Sequence, residues 1–170
     1  MTFLIDGYNL MHAIGSIGRK LPPKGLERAR TRFLDWLADS VKGRDALIRV
    51  VFDAQNGPSP TSEYGHRGVR VRFAYRQTAD ELIEEILHAD PHPTRLTVVS
   101  NDGQVQEAGR RRRSAVSTCQ AFVDWLLDDR PADKFVPPKE EEKPEENATP
   151  EELAAWLAAF SAPAKKRPRR

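Results

Sequence analysis

Cysteine occurs once in the 170 residues, at position 119, which excludes an internal disulfide and any CxxC or Cys/His zinc site. No apolar run approaches the roughly 18 residues of a membrane-spanning helix. The N-terminus enters a strand pattern at residue 3 without a basic leader or cleavage site, so no secretory signal is expected. Together these absences point to a reducing cytoplasm and no membrane partner. Neither a GxGxxG nor a GxxxxGK[ST] phosphate loop is present, so no nucleotide cofactor is expected. A GxSxG nucleophile elbow is missing too, and the histidines at 12, 66, 88 and 92 lack metal-ligand spacing. Cys119 falls in a helical pattern and is expected in the core rather than as a nucleophile.

Net charge is small, +2, but unevenly distributed. Residues 1–130 carry 19 Lys/Arg against 17 Asp/Glu, and residues 131–170 carry 8 of each. Within that tail, positions 139–146 are acidic and 165–170 hold five cations, a segregation that suggests an anionic partner better than the net value does.

Periodicity predicts an α/β protein with a mostly parallel sheet. Residues 3–5 and 46–53 read as buried strands, and residues 25–40 between them carry a helical stripe of Leu26, Ala29, Phe33 and Leu37. Arg28, Arg30 and Arg32 fall mainly on the opposite helix face. Strand, helix and strand with nearly continuous apolar runs describe a βαβ unit. Residues 14–24 and 54–66 are rich in turn formers and are expected as loops. Residues 69–73 alternate strictly, as an edge strand would. Thr78 and Glu81 form a capping box at the start of a helix over 77–88. A strand at 96–100, a helix at 104–113, a short strand at 115–117 and a helix at 118–129 complete a domain over 1–130. Beyond it, a charged Pro/Glu-rich linker (131–148), a short helix (149–161) capped by Thr149 and Pro150, and a basic tail (162–170) are expected.

Three strands end in Asp or in a turn carrying one: Asp6, Asp53 and Asp102. A fourth carboxylate, Asp80, lies in the first turn of a helix. In a parallel sheet, strand ends and the helices that follow them share one edge, where ligands of open α/β folds bind. Asn9, Ser100, Asn101 and Glu84 fall within reach of that edge, Glu84 one helical turn past Asp80. Gly7 is expected to let the chain turn sharply beside whatever Asp6 binds. Each Asp alone is as well explained by a helix cap or an exposed turn. Four independent caps on one edge are a poorer account than a shared cation, because close like charges repel unless one lies between them. Oxygen donors without sulfur or clustered imidazole select Mg²⁺ or Mn²⁺. Water activated by such an ion suits attack on a phosphodiester.

Basic residues suggest the partner. Arg110, Arg111, Arg112 and Arg113 are consecutive, while Arg67, Arg70, Arg72 and Arg76 flank the long loop and the third strand. Cations beside an acidic pocket match a phosphate backbone led to a cutting site, and Tyr8, Tyr64 or Tyr75 would offer a ring to a base. For any single arginine a solvated charged face is the ordinary alternative.

The segments LIDGYNL (4–10), VFDA (51–54), TADELIE (78–84) and VVSND (98–102) resemble the YacP-like branch of the NYN domains, relatives of PIN-domain nucleases. The resemblance covers about residues 1–130. It implies a PIN-like three-layer α/β/α sandwich and a divalent-metal endoribonuclease, with Asp6, Asp80 and Asp102 as metal ligands and Asn9 and Asp53 assisting. It also brings the ribosome forward as a partner. The function expected is cleavage of single-stranded or ribosome-associated RNA by metal-activated water. A non-catalytic RNA- or ribosome-binding module on the same fold is the alternative, and a metal-dependent phosphatase or DNA nuclease the weaker third.

Overall fold

A computed structural model describes residues 1–17, 23–53 and 63–128. The chain divides into two compact units, Met1–Pro138 and Lys139–Arg170. The expected linker, C-terminal helix and basic tail lie outside the described residues, as does most of the expected loop over 54–66.

The first unit runs β1 (Thr2–Asp6), α1 (Gly7–Ala13), α2 (Pro23–Ser40), β2 (Leu47–Asp53), β3 (Tyr64–His66), β4 (Val69–Ala74), α3 (Ala79–Ala89), β5 (Leu96–Val99), α4 (Gly103–Arg111), β6 (Ala115–Ser117) and α5 (Cys119–Leu127). A 3₁₀ turn, Pro93–Arg95, precedes β5. The six strands form one sheet in the order β3-β4-β2-β1-β5-β6, parallel throughout except that β3 is antiparallel to β4. Alternation along β1 sorts the core: Phe3 and Ile5 join Phe33, Leu37, Phe52 and Phe122 on one face, while Leu4 joins Leu82, Ile83, Ile86 and Val105 on the other. The first face carries α2 and α5, the second α3 and α4, which gives the expected three layers.

Chain order sets the location of a crevice. From β1 the chain builds outward through β2 to β4, then crosses to the other side of β1 for β5 and β6. Adjacent strands β1 and β5 therefore send their connections in opposite directions, and ligands of open α/β sheets bind outside the carboxyl ends of such a pair.

Three local features depart from expectation. A helix, α1, starts directly at Gly7, whose φ is not positive. A Cβ there would lie 2.3 Å from Cε1 of Phe52, so Gly7 is required by the ring packed under the helix and not by a turn. Tyr64–His66 forms a strand inside the stretch expected to be loop, so residues 69–73 are not the outermost strand. The hairpin turns at Arg67 (φ 48°) and Gly68 (φ 91°), the two positive φ values of a two-residue I′ connection. Finally, the helix over 104–113 spans Gly103–Arg111, and Arg113 follows it in the left-handed region (φ 59°).

Candidate active site

Asp6 closes β1 and caps α1, so a strand end and a helix N-terminus meet at one carboxylate. Its Oδ1 accepts the Asn9 amide N–H (3.1 Å) and its Oδ2 the Ser100 hydroxyl (3.3 Å). Ser100, fully buried, in turn accepts the backbone N–H of Asp102 (3.0 Å). Asp102 caps α4 through Oδ1, which accepts from the amides of Gln104 (2.7 Å) and Val105 (3.4 Å). Hydrogen bonds thus span the β1–β5 crevice, with Ser100 linking the Asp6 carboxylate to the main chain of Asp102. The single-residue reading of these aspartates as caps holds for Asp6 and Asp102, and the capping geometry aims both at the same edge.

A second bridge runs through the amides. Oδ1 of Asn9 accepts the Asn101 N–H (3.0 Å), and Oδ1 of Asn101 accepts the Cys119 N–H at the start of α5 (2.9 Å). Cys119 itself is fully buried and turns its Sγ toward Asn9 Oδ1 at 3.8 Å. Burial, and next the Asp6 charge, push its thiol up to about 12, which makes it core rather than nucleophile. The amide of Gln106 adds a donor to the Ser100 carbonyl (2.7 Å). Neither the Cys119 contribution nor that of Gln106 carries a local sequence signal, because each partner lies in a different element.

Asp53 ends β2 and Asp80 occupies the first turn of α3. Among the described residues, neither carboxylate accepts a hydrogen bond. Burial raises the Asp80 carboxyl above its ordinary value, followed by the charges of Asp102, Asp53 and Glu81. Asp6 is likewise raised, first by burial; the Asn9 amide opposes this and the Asp80 charge adds to it. Asp80 therefore lies near enough to Asp6, Asp53 and Asp102 for their charges to act on one another. Glu84 does not share this arrangement: its carboxylate accepts from Arg111 at 3.3 Å on the exposed flank. A groove of about 630 Å³ opens there between α3 and α4, lined by Asp80, Glu81, Glu84, Glu107 and Arg111 among others.

The expected cationic rim is largely elsewhere. Helix α4 starts at the carboxyl edge and runs away from it for nine residues, so the backbone at its end, where Arg110 and Arg111 sit and Arg112 and Arg113 follow, lies roughly 13 Å from Asp102. Arg110 pairs with Glu107 (3.8 Å), and Arg112 donates to the Leu87 and His88 carbonyls at the end of α3. Arg67 sits before β4, about 16 Å of strand from the site, and binds Asp39 (2.7 Å) and Asp35 (3.4 Å). Arg70 pairs with Glu63 (3.2 Å). Arg72 lies mid-strand opposite Val51, and only Arg76, just past β4 and over the Tyr75 ring, follows the carboxyl edge. Of the eight arginines expected to meet RNA, Arg76, past the end of β4, and Arg111, through its bond to Glu84, are the ones the fold brings toward the carboxylate edge.

The donor set fits a hard divalent cation: oxygen ligands only, at a mouth where the Asp80 charge raises Asp6 and where Asp53 and Asp80 keep their oxygens unengaged. Among the described residues no three His, Cys, Asp or Glu side chains stand close enough to ligate one ion together. Mg²⁺ held through one or two carboxylates, with water completing its shell, is compatible with that spacing.

Residues 3–158 match the YacP-like NYN domain. Among solved structures, that of a mutant of Rae1 (YacP) from Bacillus subtilis is 25% identical, with 74% of each chain covered and a TM-score of 0.59. A second crystal structure of Bacillus subtilis Rae1 (YacP), at 23% identity, covers 74% of this chain and 73% of that one with a TM-score of 0.55, which speaks to fold alone. Comparison with curated proteins gives no significant match. With the match spanning nearly the whole chain, and with the sheet order and carboxylate edge described above, this chain belongs to the YacP-like NYN domain family, a PIN-like nuclease family.

Proposed function

We propose that this chain is a divalent-metal-dependent endoribonuclease that cuts single-stranded RNA, free or carried on the ribosome. The observation that supports this reading best is the gathering of Asp6, Asp53, Asp80 and Asp102 at strand ends and helix starts on one edge, near enough for the Asp80 charge and theirs to interact. One or two of Asp6, Asp80 and Asp102 would bind Mg²⁺ or Mn²⁺ directly, the others and Asp53 reaching it through coordinated water. A bound cation supplies water activated near neutral pH and offsets charge on the leaving oxygen.

The chain's own groups do the rest. Asn9 N–H and Ser100 O–H hold the Asp6 carboxylate in one orientation, so little reorganisation accompanies ligand binding. Asn101 ties β5 to α1 and α5 and keeps the crevice walls in register. Asp53 and Asp80, with unengaged oxygens amid concentrated negative charge, are placed to accept a proton from a water at the mouth. Glu84, bound to Arg111, shapes the flank.

The test is incubation of the protein with labelled single-stranded RNA in Mg²⁺, in Mn²⁺ and in EDTA, alongside Asp80→Asn. Cleavage should need the metal and fall by at least about a hundredfold in the variant. Equal cutting by Asp80→Asn removes the assignment, and RNA bound but never cut moves the reading to a non-catalytic binding module.

A further inference from the structure

Half of the fourteen arginines among the described residues are occupied. Arg49, Arg67, Arg70, Arg110 and Arg111 pair with carboxylates, while Arg44 and Arg112 donate to main-chain carbonyls. Of the other seven, five are exposed, and of the half-buried pair, Arg72 and Arg30, it is Arg30, on α2, whose donor meets a side chain. It is half-buried, and its polar contact is a neutral one, Nη1 donating to the Tyr8 hydroxyl at 2.9 Å. Among the described residues no carboxylate lies within ion-pair distance of it. A guanidinium carries five N–H donors, so this cation sits partly desolvated with most of its donors unused.

Its surroundings are aromatic and adjoin the site. The Arg30 guanidinium lies over the Phe73 ring, 5.1 Å from the centroid. Tyr64 stacks on Phe73 (6.1 Å, 14° between planes) and is 39% exposed. Burial raises the Tyr64 hydroxyl while the Arg30 charge lowers it, which places the cation near that ring as well. Phe73 pairs with Phe52, the residue before Asp53. Tyr8 lies between Asp6 and Asn9 and meets Phe52 edge-on at 5.2 Å. The cluster therefore borders the carboxylates on the α2 side of the sheet. On the opposite side, the groove between α3 and α4 holds Asp80, Glu81, Glu84 and Glu107 against Arg111 alone, and Arg111 is already bound to Glu84. A polyanion entering the crevice is repelled there and attracted by Arg30.

We propose that Arg30, oriented by Tyr8 and Phe73, binds an RNA phosphate next to the scissile one, and that Tyr64 stacks an unpaired base beside it. Guanidinium takes phosphate oxygens in a fork that ammonium lacks, and an aromatic face accepts any base without reading sequence. The subsite selects single strands, because a paired base has no free face to offer. This rests on the ribonuclease reading above and specifies how that site holds its substrate.

The experiment measures binding of a fluorescent single-stranded RNA in EDTA, as a function of salt, for the full chain, Arg30→Gln, Arg30→Lys, Tyr64→Ala and Tyr64→Phe. Arg95→Gln, in the turn before β5 at the far edge, serves as control. Arg30→Gln should weaken binding about tenfold and reduce the slope of log affinity against log salt by about 0.7. Arg30→Lys should recover the slope but only part of the affinity. Tyr64→Ala should lose about tenfold and Tyr64→Phe almost nothing. In metal, Arg30→Gln should raise KM with kcat nearly unchanged. Wild-type affinity and slope in a folded Arg30→Gln, or equal losses in Arg95→Gln, overturn the subsite while metal-dependent cutting by the wild type still stands. A wild type that neither binds nor cuts RNA overturns both readings.

Discussion

Replacing Gly7 by alanine should damage this protein out of proportion to the single methyl group added. The new Cβ would stand 2.3, 2.5 and 2.8 Å from Cε1, Cδ1 and Cζ of Phe52. Ordinary carbon–carbon contact is about 3.5–4.0 Å, so more than about 1 Å must be found. Phe52 cannot supply it easily: the ring is fully buried and held by Tyr8, Phe33 and Phe73 at centroid distances of 5.2, 6.2 and 5.7 Å. Helix α1 moves instead, carrying the Asn9 N–H away from Asp6 Oδ1 and Asn9 Oδ1 away from Asn101. Overpacking of this kind costs about 1–3 kcal/mol, and the helix propensity gained by Gly→Ala returns at most about 1 kcal/mol. A net loss of about 1–2 kcal/mol should lower Tm by roughly 3–8 °C. A shift near 1 Å in the residues that orient Asp6 should also slow RNA cleavage, by about a hundredfold. Thermal melts and cleavage rates are measured together with Gly103→Ala, where nothing lies within 4 Å of the added carbon and Tm should hold or rise slightly. Gly7→Ala with unchanged Tm and unchanged cleavage refutes the reasoning.

Asp6→Asn should abolish cleavage yet stabilise the metal-free protein at neutral pH. The folded carboxyl is raised above 3.8, chiefly by burial, so the native state binds the extra proton. Stability from this group is therefore full below the ordinary value, falls as pH rises through the folded value, and is gone above it. Urea melts in EDTA should show the variant's advantage at pH 8 shrinking toward pH 4. An advantage that grows on acidification contradicts the sign. Adding Mg²⁺ at about a hundred times its Kd should stabilise the wild type by about 2.7 kcal/mol and the variant by much less. Cys119, with its thiol pushed up to about 12, should react with a disulfide reagent at pH 8 only as fast as the protein unfolds, and rapid native-state labelling would show that the buried thiol is accessible. Arg112→Ala should lower stability by about 1 kcal/mol through the uncapped Leu87 and His88 carbonyls and leave RNA affinity unchanged. A clear loss of affinity would return Arg112 to the RNA-facing set.

How much of this was legible beforehand follows from the range of each interaction. The buried strand runs around Leu4, Val50 and Val98, each followed by a carboxylate within a few residues, are local patterns. So is the capping box of Thr78 and Glu81, whose two hydrogen bonds (3.2 and 2.8 Å) lie within one turn. From such signals came the parallel sheet and the four aspartates at one edge, while the three layers were what the resemblance to the NYN domains implied. The strand Tyr64–His66 was missed because three residues are too few to show alternation, and its hairpin turns on a non-glycine residue, Arg67. Helix α1 has seven residues, too short for a helical stripe, and opens with a glycine.

What a side chain reaches across the fold lay beyond the chain's local order. A run of four arginines shows a charge, but the length and direction of α4 send most of that charge away from the carboxylates, and Arg112 ends on the carbonyls of a neighbouring helix. Arg30 looked like one solvated cation among several, until Phe73 and Tyr8 were brought to it from β4 and α1. The requirement for glycine at position 7 comes from a ring 45 residues later in the chain. By itself, then, the sequence determined the sheet and the carboxylates at its edge, because helix periods, strand runs and caps act between neighbours. The tertiary structure alone decided which carboxylates lie near one another and that Arg30 meets a phenol and an aromatic ring, because those depend on contacts between segments that only the closed sheet brings together.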